Sequence, residues 1–368
     1  MNRIIDFLKK EIVLSVSFVL ALISMFFVPP SEKYFDYIDF RTLGLLFSLM
    51  TIMAGLNKMG IFRLLAKNLL NKAKTMRGVT LLLVLLCFFS SMLITNDVAL
   101  ITFVPFSVVL LKLANKQNRM IFVVTLETIA ANLGSMLTPI GNPQNLYLFS
   151  AYNISISDFF YTIAPYAMLS LGLFVIFSLF SDKSELANLG DREEVIFDKR
   201  LLTMYAVLFA IALLSVFRVL NYIVLLAAVI VFVLIFDRKV LLKVDYSLLF
   251  TFVFLFIFIG NLGNIAQINS WLSEIVGGNE VVVGVLASQV FSNVPAAILL
   301  SGFTCNAAAL MIGVNIGGLG TLIASMASLI SFKFIQKESV SIAKYLGVFT
   351  LLNVVFLAAN LALWVVVK

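Results

Sequence analysis

Apolar runs recur along the whole chain, each about 15 to 22 residues long, which matches the roughly 20 residues of helix needed to cross a hydrocarbon core. Short clusters of polar and charged residues separate them. The pattern predicts one bundle of spanning helices, with no separate soluble domain. Residues 12–28 follow the basic start MNRIIDFLKKE without a small-residue cleavage site, and are predicted to be a retained helix. Residues 42–57, 160–180, 201–217, 223–236 and 345–366 predict further crossings, for a total of about nine spans plus two hairpins.

Two stretches break the pattern. Residues 79–111 begin and end beside basic residues, so they start and finish on one side, and their middle carries Thr95, Asn96 and Asp97. Such polar residues are costly in lipid. With arms of only about 14 to 16 residues, the stretch predicts a re-entrant hairpin whose tip faces protein or a wet cavity. Residues 120–150 are interrupted by Thr138, Pro139, Gly141, Asn142 and Pro143. Proline removes a backbone donor and glycine loosens a helix, so a broken helix is predicted.

Charge sets the orientation. Lys and Arg collect in cytoplasmic loops, and here they fall at Arg3, Lys9 and Lys10, across residues 58–77, at Lys112, Lys116 and Arg119, and at Arg238, Lys239 and Lys243. The N-terminus is therefore placed inside, the acid-rich loop 29–40 outside, and the C-terminus outside a cell (plasma) membrane. Residues 58–77 hold no acid and predict an amphipathic helix on the inner surface. The net charge of +7 belongs to these loops and forms no stripe for nucleic acid. With no His, and with Cys87 and Cys305 both inside apolar runs, the chain lacks the usual ligands of zinc, haem or an iron–sulfur cluster. No resident cofactor is expected.

The second half repeats the first. Residues 38–62 parallel 244–268, ITNDVALITFVPF (94–106) parallels FSNVPAAILLSGF (291–303), and NLGSMLTPIGNPQNLYLF (132–149) parallels NIGGLGTLIASMASLISF (315–332). The counterpart of the basic 58–77 stretch, residues 263–280, has Glu274 and Glu280 but no Lys or Arg, so the second copy is upside down. The expected fold is an all-α polytopic membrane protein with an inverted repeat, two re-entrant hairpins and two broken transmembrane helices. Its parts are an N-terminal transmembrane helix (1–37), a first repeat (38–180; hairpin 79–111, broken helix 120–150), a linker and helix pair (181–243) and a second repeat (244–368; hairpin 281–305, broken helix 307–332).

Inverted repeats with broken helices meeting at mid-membrane are the architecture of secondary transporters. The site is expected between the hairpin tips: Thr95, Asn96 and Asp97 from one, Ser292, Asn293 and Val294 from the other, with Thr138, Pro139, Gly141, Asn142 and Pro143 of the first break and Gly318, Thr321 and Ser325 of the second. Asp97 has three open roles: a proton carrier, a cation ligand, or a cap on the second arm of its hairpin. Glu127, in VTLETIAAN, is the other acid within a predicted crossing.

The paired tips and the TPIGNPQN break resemble the ion transporter superfamily, in particular its divalent anion/sodium symporter (dicarboxylate) branch, with arsenite- and citrate-transporter-like relatives. The resemblance covers about 38–180 and 244–366. It implies that Asn96 and Asn293 contact substrate carboxylates, that sodium lies near Asn96, Asp97, Gly141 and Asn293, and that a homodimer works by an elevator motion. Val294 and Asp97 stand where that branch has Thr, and Ser325 lacks the Pro-Pro of the usual break. The expectation is thus a secondary transporter, not an enzyme, of small C4/C5 dicarboxylates such as succinate, malate or 2-oxoglutarate. It exchanges them or couples them to protons, with weakened sodium dependence. Arsenite or antimonite efflux is the rival, since the arsenite branch often has an Asn-Asp pair at the first tip. A cation/proton antiporter is third, and an integral membrane enzyme is disfavoured because no nucleophile–base pair is evident.

Overall fold

In a computed structural model of the chain, residues 11–60, 75–181, 183–184 and 198–367 are described, and they are helical apart from turns and short linkers. The expected inner-surface helix at 58–77 and the linker at 181–200 fall largely outside the described residues. Seven described helices are long and apolar enough to cross a membrane, or up to eight if the bent pair Ala266–Val276 and Glu280–Phe291 is one span. Two of the seven are the arms of the first hairpin, so five answer to the nine expected crossings; the halves of the two broken helices, and the helices at 12–27 and 222–236, are each too short to be counted.

Helix α1 (Ile12–Phe27) and the short α2 (Lys33–Tyr37) lead to α3 (Phe40–Lys58). The first hairpin is α4 (Met76–Ile94) and α5 (Asn96–Leu113), followed by the halves of a broken helix, α6 (Met120–Ser135) and α7 (Pro143–Ala151), and by α8 (Ile156–Ser178). An intervening pair, α9 (Lys199–Val216) and α10 (Tyr222–Phe236), precedes α11 (Tyr246–Gly263) and α12 (Ala266–Val276). The second hairpin is α13 (Glu280–Phe291) and α14 (Asn293–Ser301), and the second broken helix is α15 (Ala307–Ile316) and α16 (Met326–Ile335). Helix α17 (Ile342–Val367) closes the described chain.

Local chemistry starts the helices that matter most. Asp39 accepts from the backbone N–H of Thr42 and Asp245 from that of Leu248, so the corresponding α3 and α11 begin with the same acidic cap. Asn142 caps α7 and Asn306 caps α15 through the N–H groups of Asn145 and Ala309. The arms of the first hairpin run to 19 and 18 residues. They are longer than the apolar pattern indicates because helix continues into the polar flanks, so length alone does not make the hairpin re-entrant.

Packing joins the two halves crosswise. Helix α4 lies along α6, while α5 packs on α16 of the second half; reciprocally, α14 packs on α7 of the first. Helix α3 sits against α9 and α10, and α11 against α1. The outer surface is apolar, with Phe26 at 87% exposure and Leu93, Ile176, Val231 and Val354 all facing outward, whereas Ser, Thr and Asn side chains are buried between the helices. This polarity suits a chain whose solvent is lipid.

Close approach of α4 and α6 requires glycine at position 134, where an added Cβ would lie 2.1 Å from the Phe88 carbonyl oxygen. Gly134→Ala is expected to lower stability by about 1–3 kcal/mol through overpacking. Gly172→Ala, which meets nothing within 4 Å, is expected to be neutral or slightly stabilising. Thermal unfolding in detergent, followed by size-exclusion chromatography, checks both.

Candidate functional site

The two hairpin tips share one unusual backbone conformation. Thr95 has φ 70° and ψ 152°, and Ser292 has φ 72° and ψ 153°. This region is nearly reserved for glycine and costs about 1–3 kcal/mol for other residues. It turns the chain sharply so that a new helix starts at the next residue, Asn96 in one tip and Asn293 in the other.

Each tip is held by the break that follows it. The Thr138 hydroxyl donates to the carbonyl of Met92, three residues before Thr95. In the second half the Thr321 hydroxyl donates to the carbonyl of Gln289 at 3.4 Å, three residues before Ser292. The backbone N–H of Asn96 donates to the Gly141 carbonyl at 3.1 Å. Gly141 must remain without a side chain, since a Cβ would lie 2.1 Å from the Ser135 carbonyl oxygen.

The breaks also bind each other. Ser325 donates to Asn132 Oδ1 at 2.9 Å, and Asn142 Nδ2 donates to Asn315 Oδ1 at 3.1 Å. In the aligned segments Asn132 corresponds to Asn315 and Asn142 to Ser325, so the two contacts are the same exchange made twice. Asn145 donates to the carbonyls of Met136 and Thr138, while Gln289 donates to those of Gly317 and Leu319. Carbonyls freed at the two breaks are thereby satisfied in the interior.

A narrow crevice lies between the tips. Its walls are Asn96, Asp97, Pro143, Gln144, Leu248, Asn293, Val294, Ser325 and Met326. Four helices, α5, α7, α14 and α16, start at residues on this list, so four positive dipole ends gather around one space. No Lys or Arg lines it. Asn96 is 5% exposed; its Nδ2 donates to Asn132 Oδ1 at 3.2 Å and its Oδ1 accepts from the Asp97 N–H at 3.0 Å. Asn293 is 4% exposed, with its Nδ2 placed 2.8 Å from where a Cβ on Gly318 would stand. The Ser292 hydroxyl is buried without a partner.

The structure thus brings Asn96, Asp97, Pro143, Asn293, Val294 and Ser325 to one crevice, with Thr95 and Ser292 turning the tips. Thr138, Pro139, Gly141 and Asn142 form the break behind it, Gly318 lies beneath Asn293, and Thr321 is exposed beside Gln289. No side-chain cap hydrogen bond starts α5; Asn96 Oδ1 accepts from the N–H of Asp97, which stands in the first turn with Asp245 within electrostatic reach. Among the described residues no group of three or more His, Cys, Asp or Glu could hold a metal. The organising residues that sequence reasoning passed over are Asn132, Asn315 and Gln289, while Gln144 and Asn145 lie inside the TPIGNPQN break it singled out. The aligned positions of Asn132 and Asn315 were the available signal.

A family model described as citrate transporter matches residues 4–309. The chain belongs to the citrate transporter family. It is 33% identical over 353 residues to an uncharacterized transporter of Methanocaldococcus jannaschii, covering 94% of this chain and 95% of that one. The inner membrane protein YbiR of Escherichia coli is 33% identical over 328 residues, 84% of this chain and 83% of its own length. A silicon efflux transporter of Oryza sativa subsp. japonica is 32% identical over 154 residues, 41% of this chain and 31% of its own. Family and fold agree: this citrate transporter family member is a multi-pass helical membrane transporter.

Asn132→Ala removes the shared acceptor of Asn96 and Ser325 and is expected to cost about 1–3 kcal/mol, the penalty of leaving buried polar groups unpaired. A double-mutant cycle on Asn142 and Asn315, read as thermal stability in detergent, is expected to show positive coupling rather than additivity.

Proposed function

We propose that this chain is a secondary active transporter of small C4 and C5 dicarboxylates, of the succinate, malate and 2-oxoglutarate type, working as an exchanger or with protons. One observation carries the reading: four helix N-termini and the side chains of Asn96 and Asn293 surround a single crevice. Free N–H groups and dipole ends bind carboxylates without any basic side chain. The unpartnered hydroxyl of Ser292 at the second tip adds a donor.

Asp97 sets a charge requirement at the crevice. A dianion beside this carboxylate, with Asp245 also in reach and no Lys or Arg in the lining, needs a proton or cation to balance the charge. The Val294 side chain offers no oxygen where a second sodium ligand would stand, which weakens the case for a full sodium set. Any sodium bound travels as co-substrate near Asn96, Asp97, Gly141 and Asn293. The hairpins and broken helices move as an elevator in the cell membrane against α3, α9, α10 and α11, whose outer face serves a homodimer. The hairpins enter from opposite sides, with the N-terminus cytoplasmic and the C-terminus outside. No enzymatic activity is proposed.

A second reading is efflux of a neutral hydroxylated solute such as arsenite. Asp97 favours it, because one carboxylate and two amides bind hydroxyl groups with no charge to balance, and the similarity to a silicon efflux transporter points the same way. Labelled succinate counterflow in proteoliposomes, with and without sodium, separates the readings. Sodium-independent exchange is expected, reduced about 10- to 100-fold in Asn96→Ala, the range for a lost hydrogen bond to a charged group. Absence of carboxylate flux together with arsenite efflux would replace the first reading by the second.

A further inference from the structure

Behind the crevice lies a carboxyl group that the transport scheme above does not use. Glu127, in the middle of α6, has 0% exposure and takes part in neither of the ion pairs among the described residues, Lys58–Asp237 and Lys112–Glu338. Its partners come from the two arms of the first hairpin. Ser107 of α5 donates to Oε1 at 2.5 Å, and the thiol of Cys87 of α4 lies 3.9 Å from the same oxygen. Oε2 has no partner.

This arrangement matches a neutral acid. In that form Oε1 would be the carbonyl oxygen that accepts two donors, and Oε2 would carry the proton. As a carboxylate the group would keep a bare anionic oxygen in a dry interior, which is too costly to persist without a counter-charge or water. The charged groups nearby on the packed elements do not supply one. Helix α4 carries Arg77 besides Cys87, α5 carries Asp97 and Lys112, the turn before α6 ends at Arg119, α8 bears Asp158, Tyr161 and Tyr166, α16 Lys333, α17 Lys344 and Tyr345, and α15 none. Among these, only the Cys87 thiol is in hydrogen-bond range of Glu127.

Position makes the acid consequential. Glu127 bridges both hairpin arms to the broken helix, and five residues further along α6 stands Asn132, which holds Asn96 and Ser325 at the crevice. That separation is about 7.5 Å along the helix axis at 1.5 Å per residue. Loss of the proton would leave an anion that can be accommodated only if the hairpin shifts from α6 or water enters, and either disturbs the support of Asn96.

We infer that Glu127 is the proton-carrying site of this transporter, taking up a proton from one side of the membrane and releasing it to the other as the first hairpin and α6 move together. The step is a plain transfer: the carboxyl O–H gives its proton to water, the carboxylate later takes one from water, and no electron moves. The inference rests on the proposed transport of carboxylates only for the choice of solute in the test.

The test compares wild type with Glu127→Gln, which keeps the shape and removes the proton, in proteoliposomes. Succinate accumulation driven by an imposed pH gradient is expected to fall to the level of protein-free vesicles, while succinate counterflow at equal pH persists. Gradient-driven accumulation equal to wild type with unchanged pH dependence would reduce Glu127 to a packing residue and overturn the inference. Infrared difference spectroscopy of the purified protein, across a pH titration, provides a readout that needs no known solute. A protonated-carboxyl band that titrates, with Asp97→Asn retaining it, supports the assignment, and its failure to titrate refutes it. If wild type moves no succinate at all, the carboxylate reading fails while the infrared result still decides the role of Glu127.

Discussion

Two buried hydrogen bonds, from Ser325 to Asn132 and from Asn142 to Asn315, tie each broken helix to the other. A helix that stops inside a membrane leaves N–H and C=O groups without partners, and in hydrocarbon each such group costs several kcal/mol. The chain meets that cost by having each break satisfied partly by the other. The crevice follows from this constraint: helix N-termini can be left open toward a solute only where the rest of the break is already bonded.

The tips depend on the same scaffold. Thr95 and Ser292 occupy a backbone region that few non-glycine residues tolerate, and strain of this kind survives only where the surroundings over-determine it. The threonine of each break, Thr138 or Thr321, grips the arm three residues before the tip, and Gly141 allows the break to close upon Ser135. Function and strain are thereby placed at one point, since the residue after each strained position is the asparagine that faces the crevice.

Charge is distributed to match. The ion pairs among the described residues, Lys58–Asp237 and Lys112–Glu338, sit at helix ends, and Tyr205 adds a hydrogen bond to Asp237 at 3.2 Å. Within the bundle, acids stand without basic partners at Asp97 and Glu127. A spanning protein keeps an unpaired interior acid at a considerable energetic cost, which is why these two residues are where coupling chemistry is sought.

The linear sequence determined the class of protein and the location of its irregularities. Apolar runs of spanning length leave only an all-helical membrane bundle, and Thr95-Asn96-Asp97, Ser292-Asn293 and TPIGNPQN stand out because polar residues inside such runs need partners. The matched order of the two halves was equally plain, since related segments keep the same spacing of Asn, Thr and Gly. Tertiary structure alone decided which residues meet. Asn132 and Ser325 are 193 positions apart, and nothing in either local pattern names the other. The lengths of the hairpin arms and the exposure of Thr321 likewise came from packing. Hydrophobic periodicity records how much of a segment is buried, whereas the partner of a buried polar group is chosen by the crossing of helices distant in the chain.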